Sequence, residues 1–420
     1  MELYEHQKQA LQETEEYNHV AYYHDMGLGK TFTGAEKLAK LDTRFNLVIC
    51  QKSKIEDWME HFKTYYDMNP CNLTNVKASD LSHFIKVSES IPVNTVYIIN
   101  YELAWRRSEL KKLEDFTLML DESSLIQNEN AKQSKFIMQL KPKNVILLSG
   151  TPTGGKYEKL WSQLNLLGWK ISKQMFYRQF VNFHYEDNCG FPLMIIDGYK
   201  NEKRLKRKMR EYGCHFLKTD EVFDLPEQIH QNITVNATAE YKKFKKTCIS
   251  KEYDLIGDST LTKMLYEREL CGQYNDDKLA AVTDLIESTN DRIIIFYNFN
   301  AELDLLKGIC ERVERPYSIV NGSVKDLTAY ESKNACITLI QYQAGAMGLN
   351  LQKANKIIYF TPTLSSELFE QSKKRIHRIG QNNTCFYYYL ICKSSIEEKI
   401  YRTLKMRKDY TEALFESEGE

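Results

Sequence analysis

The sequence has no excess of charge of either sign, because 57 basic and 57 acidic residues give a formal net charge of zero. Any surface for a polyanion must therefore be a local basic patch. No run is long and apolar enough to span a bilayer, and the N-terminus "MELYEHQKQALQ" lacks the apolar centre of a signal peptide. We therefore expect a cytoplasmic protein without a membrane partner.

Paired cysteines are also absent. The ten cysteines are scattered, and no two form a C-x-x-C pair. Most lie inside apolar, strand-like runs, for example Cys50 and Cys336. This pattern predicts reduced, buried cysteines and no structural zinc. Repeats and low-complexity segments are missing as well.

The 420 residues are enough for two domains of ordinary size, and 42% hydrophobic and 27% charged residues are normal for a globular protein. Apolar, strand-like runs alternate with helical patterns in both halves. Several are continuously apolar, as strands buried on both faces of a parallel sheet are. The sequence therefore predicts two α/β domains with helices over a central sheet, residues 1–225 and 226–420.

Two segments outside these alternations are predicted to be helical. The first is an extension of the first domain, from about residue 161 to 225, and it contains the basic stretch "KNEKRLKRKMREYG". It ends at "DLPEQ", which is typical of a linker. The second is one long C-terminal helix, for which Ser394 is the expected cap and Glu397 completes a capping box.

The stretch "HDMGLGKT" follows an apolar run and precedes a helical pattern, which is the context that a phosphate loop requires. The strict pattern begins with a glycine, and His24 stands in its place. Gly27 and Gly29 would let backbone N–H groups approach phosphate oxygens. Lys30 would bind the β- and γ-phosphates, and the Thr31 hydroxyl would bind Mg²⁺. By itself, "GLGKT" is also compatible with a coincidental turn.

An acidic pair ends a later strand of the same domain, in "FTLMLDESS". Asp121 at the strand end would hold Mg²⁺ through water, and Glu122 would orient or deprotonate the attacking water. The alternative is a solvated acidic turn. The position directly after a buried run favours the catalytic interpretation.

The motifs "DMGLGKT", "LDESSLIQN", "LLSGTPT", "AGAMGLNL" and "QSKKRIHRIGQ" occur in this order. Together they resemble the Swi/Snf-like family of superfamily-two helicases, which are ATP-driven double-strand DNA translocases. The resemblance runs from about Leu3 to Leu404. It implies two RecA-like domains, each a largely parallel sheet covered by helices, with a helical segment between them and a C-terminal helix. Family members commonly carry an acidic residue where His24 stands, so the missing glycine fits the family.

The resemblance also implies roles for single residues. Gln7 would contact the adenine edge, although without the other motifs an exposed helix residue would be preferred. "SGTPT", residues 149–153, would couple hydrolysis to movement of the lobes, and Gly348 would touch both nucleotide and DNA. The implied cofactors are ATP and Mg²⁺, with nucleotide ligands Gln7, Met26, Gly27, Leu28, Gly29, Lys30, Thr31 and Gly348, metal ligands Thr31 and Asp121, and catalytic residues Lys30, Asp121, Glu122, Arg375 and Arg378.

Arg375 and Arg378 match the last motif of the family and also have a physical rationale. Charge develops on the γ-phosphoryl oxygens during transfer, and a guanidinium group complements it. The two arginines are three residues apart, so they share a face if the segment is helical. The alternative is a solvated basic face. If they are catalytic, the two domains must close on ATP.

The sequence departs from the family at several positions. Ser123 and Ser124 stand where Ala or Gly followed by His is usual, and serine forms hydrogen bonds but carries no charge. "TGG" follows "GTP" where the family often has "IQN". No histone-reading or nuclease domain is visible, so the chain resembles a minimal motor of bacterial or viral type. Nucleosome remodelling is not implied, and a viral protein would work in the host cytoplasm.

The favoured function is therefore ATP-dependent translocation on double-stranded DNA, the most plausible partner. Basic stretches such as "KRLKRKMR", "SKKRIHR" and "RTLKMRK" could contact the DNA backbone, without reading sequence. The main alternative, a strand-separating DNA or RNA helicase, would need a wedge or a stacking platform. A nucleotide-regulated binding module would have lost Lys30, Glu122 or Arg378, which are present. A metabolic kinase would not explain the second α/β half.

Overall fold

The apolar runs form two separate sheets in the computed structural model, which describes residues 2–89, 95–188, 191–345 and 349–415. One compact unit comprises the residues up to Val222 and, from the end of the chain, residues 410–415, and a second runs from Phe223 to Asp409. The fold class predicted from the sequence, two α/β domains with mostly parallel sheets under helices, is confirmed. The expected domain limits of 225 and 226 stay predictions.

The first unit has a seven-stranded sheet in the order β3-β4-β2-β5-β6-β1-β9, in which every pairing is parallel. Its strands are β1 His19–His24, β2 Phe45–Cys50, β3 Asn69–Asn72, β4 Thr95–Asn100, β5 Phe116–Asp121, β6 Asn144–Leu148 and β9 Cys214–Leu217, and a separate hairpin is formed by β7 Val181–Asn188 and β8 Phe191–Tyr199. The helices are α1 Glu5–Glu13, α2 Lys30–Lys40, α3 Ile55–Tyr65, α4 Ala78–Glu89, α5 Tyr101–Ala104, α6 Lys132–Ile137, α7 Trp161–Leu166, α8 Lys173–Phe180 and α9 Glu202–Glu211.

The second unit has a seven-stranded sheet in the order β10-β18-β17-β13-β16-β14-β15, parallel except for the β14–β15 pair. Its strands are β10 Gln228–Val235, β11 Ile249–Ser250, β12 Leu255–Ile256, β13 Ile293–Tyr297, β14 Tyr317–Val320, β15 Lys325–Asp326, β16 Ile337–Gln341, β17 Lys356–Tyr359 and β18 Cys385–Cys392, of which β11 and β12 form a small separate hairpin. The helices are α10 Ala239–Thr247, α11 Thr260–Cys271, α12 Asp276–Glu287, α13 Asn300–Arg312, α14 Thr328–Ser332, α15 Tyr342–Gly345, α16 Ser366–Lys373 and the C-terminal α17 Ile396–Phe415.

The central strands are apolar throughout because both faces of each sheet are covered. In β2, Leu47 and Ile49 belong to one hydrophobic cluster, whereas Val48 and Cys50 belong to a second. Strand side chains alternate between the two faces, so each cluster lies on its own side of the sheet. The carboxyl ends of β1, β5 and β6 consequently lie at one edge, where parallel α/β sheets bind their ligands.

The segment from residue 161 to 225 is only partly helical, although the sequence predicts a mostly helical segment. After α8 the chain forms the β7–β8 hairpin, in which Phe183 pairs with Ile196 and Tyr185 with Met194. Aromatic and β-branched residues favour strands, and their cross-strand pairing outweighs the helical pattern around them. After α9, strand β9 joins the main sheet beside β1.

The expected cap of the C-terminal helix is also wrong. Helix α17 begins at Ile396, and Ser395 Oγ, not Ser394, accepts a hydrogen bond from the Glu397 N–H at 3.1 Å. The Glu397 carboxylate is fully buried, where it contacts Lys278 Nζ at 2.6 Å. A buried charge requires a charged partner, and this requirement overrides the local capping pattern.

Candidate nucleotide site

The predicted phosphate loop connects β1 to α2. Gly27 and Gly29 have left-handed backbones with φ of 90° and 70°, which only glycine adopts without strain. A Cβ atom at Gly29 would also lie 2.4 Å from Gln7 Nε2. Lys30 and Thr31 then open α2, and Thr31 is exposed. The first turn of this helix therefore offers backbone N–H groups and a hydroxyl to a ligand.

Lys30 folds back over its own loop. Its Nζ donates to the carbonyl oxygens of His24 at 2.8 Å and Asp25 at 3.1 Å. A Cβ atom at Gly150 would lie 3.3 Å from the same Nζ, so the "SGTPT" loop also closes on the lysine. The ammonium group is thus held at the carboxyl edge of the sheet by carbonyl groups that a phosphate could replace.

Gln7 is only 2% exposed, so the alternative of an exposed helix residue is wrong. Its Nε2 donates to Gly29 O at 3.1 Å, and its Oε1 accepts from the Tyr4 N–H at 3.0 Å. Helix α1 therefore fixes the glycine turn from outside the sheet. The predicted contact of Gln7 with adenine stays a prediction.

Asp121 ends β5 and is half-buried, and its Oδ2 accepts a hydrogen bond from Trp58 Nε1 at 2.9 Å. Burial raises the pKa of Asp121, while the Trp58 hydrogen bond and the positive charges of Lys30 and Lys54 oppose that rise. Strands β1 and β5 both pair with β6 in parallel, so the loop that carries Lys30 and the end of β5 that carries Asp121 lie at the same edge of the sheet. Trp58 lies in α3, and no local sequence pattern pointed to it.

Glu122 follows with a left-handed backbone, φ 53°, and precedes a short 3₁₀ helix, Ser123–Ile126. Such a conformation costs a non-glycine residue about 1 kcal/mol or more and is found where surrounding contacts enforce it. One such contact is the hydroxyl of Tyr101, which donates to Asp121 O at 2.8 Å and lies 3.4 Å from Glu122 O.

Ser123 and Ser124, the departures in the acidic motif, are both buried. Ser123 Oγ donates to Gln163 Oε1 at 2.8 Å. The same oxygen accepts from the Tyr23 hydroxyl at 3.0 Å, and Gln163 Nε2 donates to Pro152 O at 2.8 Å. Gln163 thereby joins the end of β1, the acidic motif and the "SGTPT" loop, and sequence reasoning missed it.

The arginines of the last motif do not share a helix face. Helix α16 ends at Lys373, so Arg375 and Arg378 follow it in turns. Both contact the segment before residue 351: Arg375 Nη1 lies 3.5 Å from Leu349 O, and Arg378 Nη1 donates to Asn350 Oδ1. The Leu351 N–H donates to Arg375 O at 3.1 Å, and this pairing replaces the next helical turn.

The alternative of a solvated basic face does not hold for Arg375, which is 5% exposed. Arg378 is half-buried, and burial lowers its pKa. Gly348 lies outside the described residues. The structure therefore groups Gln7, Lys30, Thr31, Asp121 and Glu122 at the first sheet, and Arg375 and Arg378 in the second unit.

Two features are absent from the described part of the chain. None of its helices has both the length and the apolar character needed to cross a membrane. Among residues 2–89, 95–188, 191–345 and 349–415, no three His, Cys, Asp or Glu side chains are grouped so that they could hold a metal ion.

A strand, a glycine turn, a lysine at the head of a helix and a strand-end acid pair are the features of a phosphate-loop nucleotide-binding domain. The chain belongs to the SNF2-related domain family, whose model matches residues 12–278, and the helicase conserved C-terminal domain matches residues 277–380. The resemblance given by the motifs is thus confirmed.

Curated relatives match most of this chain at low identity. The ISWI chromatin-remodeling complex ATPase ISW1 of Saccharomyces cerevisiae is 26% identical over 92% of this chain and 38% of its own length. A SWI/SNF-related, matrix-associated, actin-dependent regulator of chromatin (subfamily A member 1) of Mus musculus is 24% identical over 92% of this chain and 40% of its own length. An uncharacterized ATP-dependent helicase of Mycoplasma genitalium is 24% identical over 92% of this chain and 39% of its own length.

This chain therefore spans less than half the length of these relatives. Among solved structures, it is similar to the Sulfolobus solfataricus SWI2/SNF2 ATPase core in complex with dsDNA. That match has 20% identity, a TM-score of 0.46, and covers 98% of this chain and 92% of the other.

Proposed function

We propose that this protein is a nucleic-acid-dependent ATPase that uses ATP hydrolysis to move along double-stranded DNA without obligatory strand separation. The observation that carries the proposal is the convergence of Lys30, Asp121 and Glu122 at the carboxyl edge of one sheet, in a chain that belongs to the SNF2-related domain family. Its cytoplasmic location and its further partners stay predictions.

The residues at this edge fit ATP with Mg²⁺. Thr31 presents an exposed hydroxyl and Asp121 a half-buried carboxylate, which are the oxygen ligands that Mg²⁺ prefers. Bound Mg²⁺ would neutralise charge that develops on the phosphates. Lys30 would exchange its loop carbonyls for phosphate oxygens, and Glu122 would orient the attacking water.

Arg375 and Arg378 would complete the site from the second unit. Arg378 is half-buried, and a guanidinium group that has lost part of its water binds an anion more strongly than a solvated one does. Hydrolysis would then require the two units to close on ATP, and closure and release would drive movement.

Contact with DNA is supported by local positive charge. Helix α9 exposes Lys203, Arg204 and Arg207, although the whole chain carries no net charge. Contacts of this kind are made to phosphates and track the backbone, so they do not require separated strands. The names of the relatives, which include chromatin-remodeling ATPases and a helicase, agree with a DNA substrate.

The β7–β8 hairpin is the element that most resembles the wedge a strand-separating helicase needs, because Tyr185 is 62% exposed. However, residues 181–199 contain three acidic residues and no Lys or Arg. Repulsion between these carboxylates and the DNA phosphates opposes its insertion between strands. The hairpin therefore does not favour the helicase alternative.

The test compares the ATPase rate with duplex DNA, single-stranded DNA and RNA, and pairs it with two displacement substrates. We expect duplex DNA to stimulate strongly and the others weakly, with stimulation falling steeply as salt rises. A triplex should lose its third strand while a labelled blunt duplex stays paired. Separation of the plain duplex, or stimulation by RNA alone, would contradict translocation and favour the helicase.

A further inference from the structure

We infer that Gln163 is a positioning residue for ATP hydrolysis, which links the acidic motif to the "SGTPT" loop through Ser123. The inference rests on the proposed ATPase function and adds to it a residue outside the family motifs discussed above. It depends on the polar contacts that the first turn of α7 makes with two loops at the carboxyl edge of the sheet.

The side chain of Gln163 is fully buried and uses both ends of its amide. Its oxygen accepts from Ser123 Oγ at 2.8 Å and from Tyr23 at 3.0 Å, and its nitrogen donates to Pro152 O at 2.8 Å. A buried amide is costly unless it is paired, and a fully paired network rigidifies the groups that it joins. Gln163 therefore links the end of β1, the acidic motif and the "SGTPT" loop through one hydrogen-bond network.

The neighbouring residue holds the same loop a second time. Ser162 is 1% exposed, and its Oγ donates to Ile126 O at 2.7 Å, at the far end of the 3₁₀ helix Ser123–Ile126. Two consecutive residues of α7, Ser162 and Gln163, thus form hydrogen bonds with both ends of the 3₁₀ helix that follows Glu122. Hydrogen bonds are directional, so these two bonds fix the orientation of the 3₁₀ helix as well as its position.

Glu122 depends on this turn for its own orientation. Its left-handed backbone, φ 53°, persists only while its surroundings enforce it. Two contacts support this conformation: the Tyr101 hydroxyl bonds the backbone of Asp121, and Ser123, which follows Glu122, is bonded to Gln163. Loss of the Ser123–Gln163 hydrogen bond would remove one of these two supports. The Glu122 carboxylate would then no longer be oriented toward the attacking water.

The hydrogen bond between the acidic motif and Gln163 depends on a serine at position 123. The family usually has Ala or Gly there, which could not donate to Gln163. The hydroxyl thus connects the acidic motif directly to α7, and Gln163 continues the connection to Pro152. A change at the γ-phosphate that moves Glu122 would therefore reach the "SGTPT" loop through two hydrogen bonds.

The test measures turnover, ATP affinity and folding of Gln163→Met, Ser123→Ala and the double variant. Methionine keeps the length of the side chain and removes both polar ends. We expect Gln163→Met to lower kcat by about 10- to 100-fold, the range expected when a catalytic group is misplaced by an ångström or less. The Kd of a fluorescent ATP analogue should change by roughly threefold or less, because positioning acts on the transition state.

The double variant should be no slower than Gln163→Met, because both substitutions break the same link. The matched control is Asn144→Leu, which removes a buried amide that bonds Thr43 and Thr117 at the opposite end of the strands. It should lose stability but keep its kcat per folded molecule. The inference would be overturned if the kcat reduction in the double variant equalled the product of the two single reductions. Wild-type kcat in both single variants would also overturn it.

A second measurement does not depend on activity. Hydrogen exchange in Gln163→Met should become faster at residues 123–127 and 151–155, and the Asn144→Leu control should leave these segments unchanged. If the wild type hydrolyses no ATP with any nucleic acid, the proposed function fails, whereas faster exchange at both loops would still support the link. Unchanged exchange at both loops would overturn the link itself.

Discussion

His24 Nε2 and His215 Nδ1 lie 2.9 Å apart in the interior of the first unit, beside the loop that carries Lys30. Burial lowers the pKa of His24, and the nearby charges of His215, Lys30 and His6 lower it further. Burial also lowers the pKa of His215, although Glu13, whose Oε2 lies 3.2 Å from His215 Nε2, opposes this effect. Both rings are therefore neutral at pH 7.

This pair predicts acid sensitivity of the first unit. Because the folded pKa values lie below about 6.5, the unfolded chain binds more protons as the pH falls through that value, and the free energy of unfolding decreases. We expect the free energy of unfolding to decrease between pH 7.5 and 5.5, with most of the loss below about pH 6.5, where the histidines of the unfolded chain become protonated.

Urea unfolding followed by tryptophan fluorescence measures this loss, because the four tryptophans, Trp58, Trp105, Trp161 and Trp169, all lie in the first unit. The control is the double variant His24→Gln/His215→Gln, which should lose less stability over the same pH range. His61, whose pKa burial lowers to about 4, is unchanged in both proteins. An equal loss in both proteins would rule out the histidine pair as the cause.

Lys30→Ala and Glu122→Gln should each reduce ATP hydrolysis by at least about 100-fold, because one removes the charge on the phosphates and the other the group that orients water. Neither side chain lies in a hydrophobic cluster, so circular dichroism and the unfolding midpoint should stay close to the wild type. Near wild-type turnover in folded Glu122→Gln protein would show that the acid assignment is wrong.

Arg378→Ala should lower ATP turnover by roughly 10³- to 10⁵-fold if the residue acts as an arginine finger, while ATP binding weakens far less. Lys374→Ala, in the same basic segment, is the matched control and should stay within a few-fold of the wild type. If ATP affinity falls and turnover does not, Arg378 binds the ground state, and domain closure is not needed for catalysis.

Trp58→Phe should raise the Mg²⁺ concentration needed for half-maximal ATPase activity by about 10-fold. The substitution removes the 2.9 Å hydrogen bond that orients Asp121, and partners of this kind contribute 10- to 100-fold to metal affinity. Phenylalanine keeps the packing against Phe62, whose ring is stacked 5.6 Å from that of Trp58. Trp105→Phe is the control, and an unchanged Mg²⁺ requirement in Trp58→Phe would exclude Trp58 as an orienting residue.

The elements predicted from the sequence are those whose signal is local. Continuously apolar strands such as β2 and β5, and the glycine turn before Lys30, follow from patterns of a few residues. Gln163 could not be found in this way, because its partner Ser123 is 40 residues distant in sequence. Whether the segment that carries Arg375 and Arg378 is helical could not be decided from the sequence, because the chain after Lys373 pairs with Leu351, which is distant in sequence.

Strand β9 has a consequence for how the first unit is made. It is the outer neighbour of β1, although His24 and His215 are 191 residues apart in the chain. At 5–20 residues per second, a ribosome needs roughly 10 to 40 s to synthesise that interval. The strand that leads into the phosphate loop therefore keeps one open edge during most of the synthesis of its domain, and an open edge can pair with another chain. A nascent chain stalled before Cys214 would carry Lys30, Asp121 and Glu122 on a sheet whose edge at β1 is still unpaired.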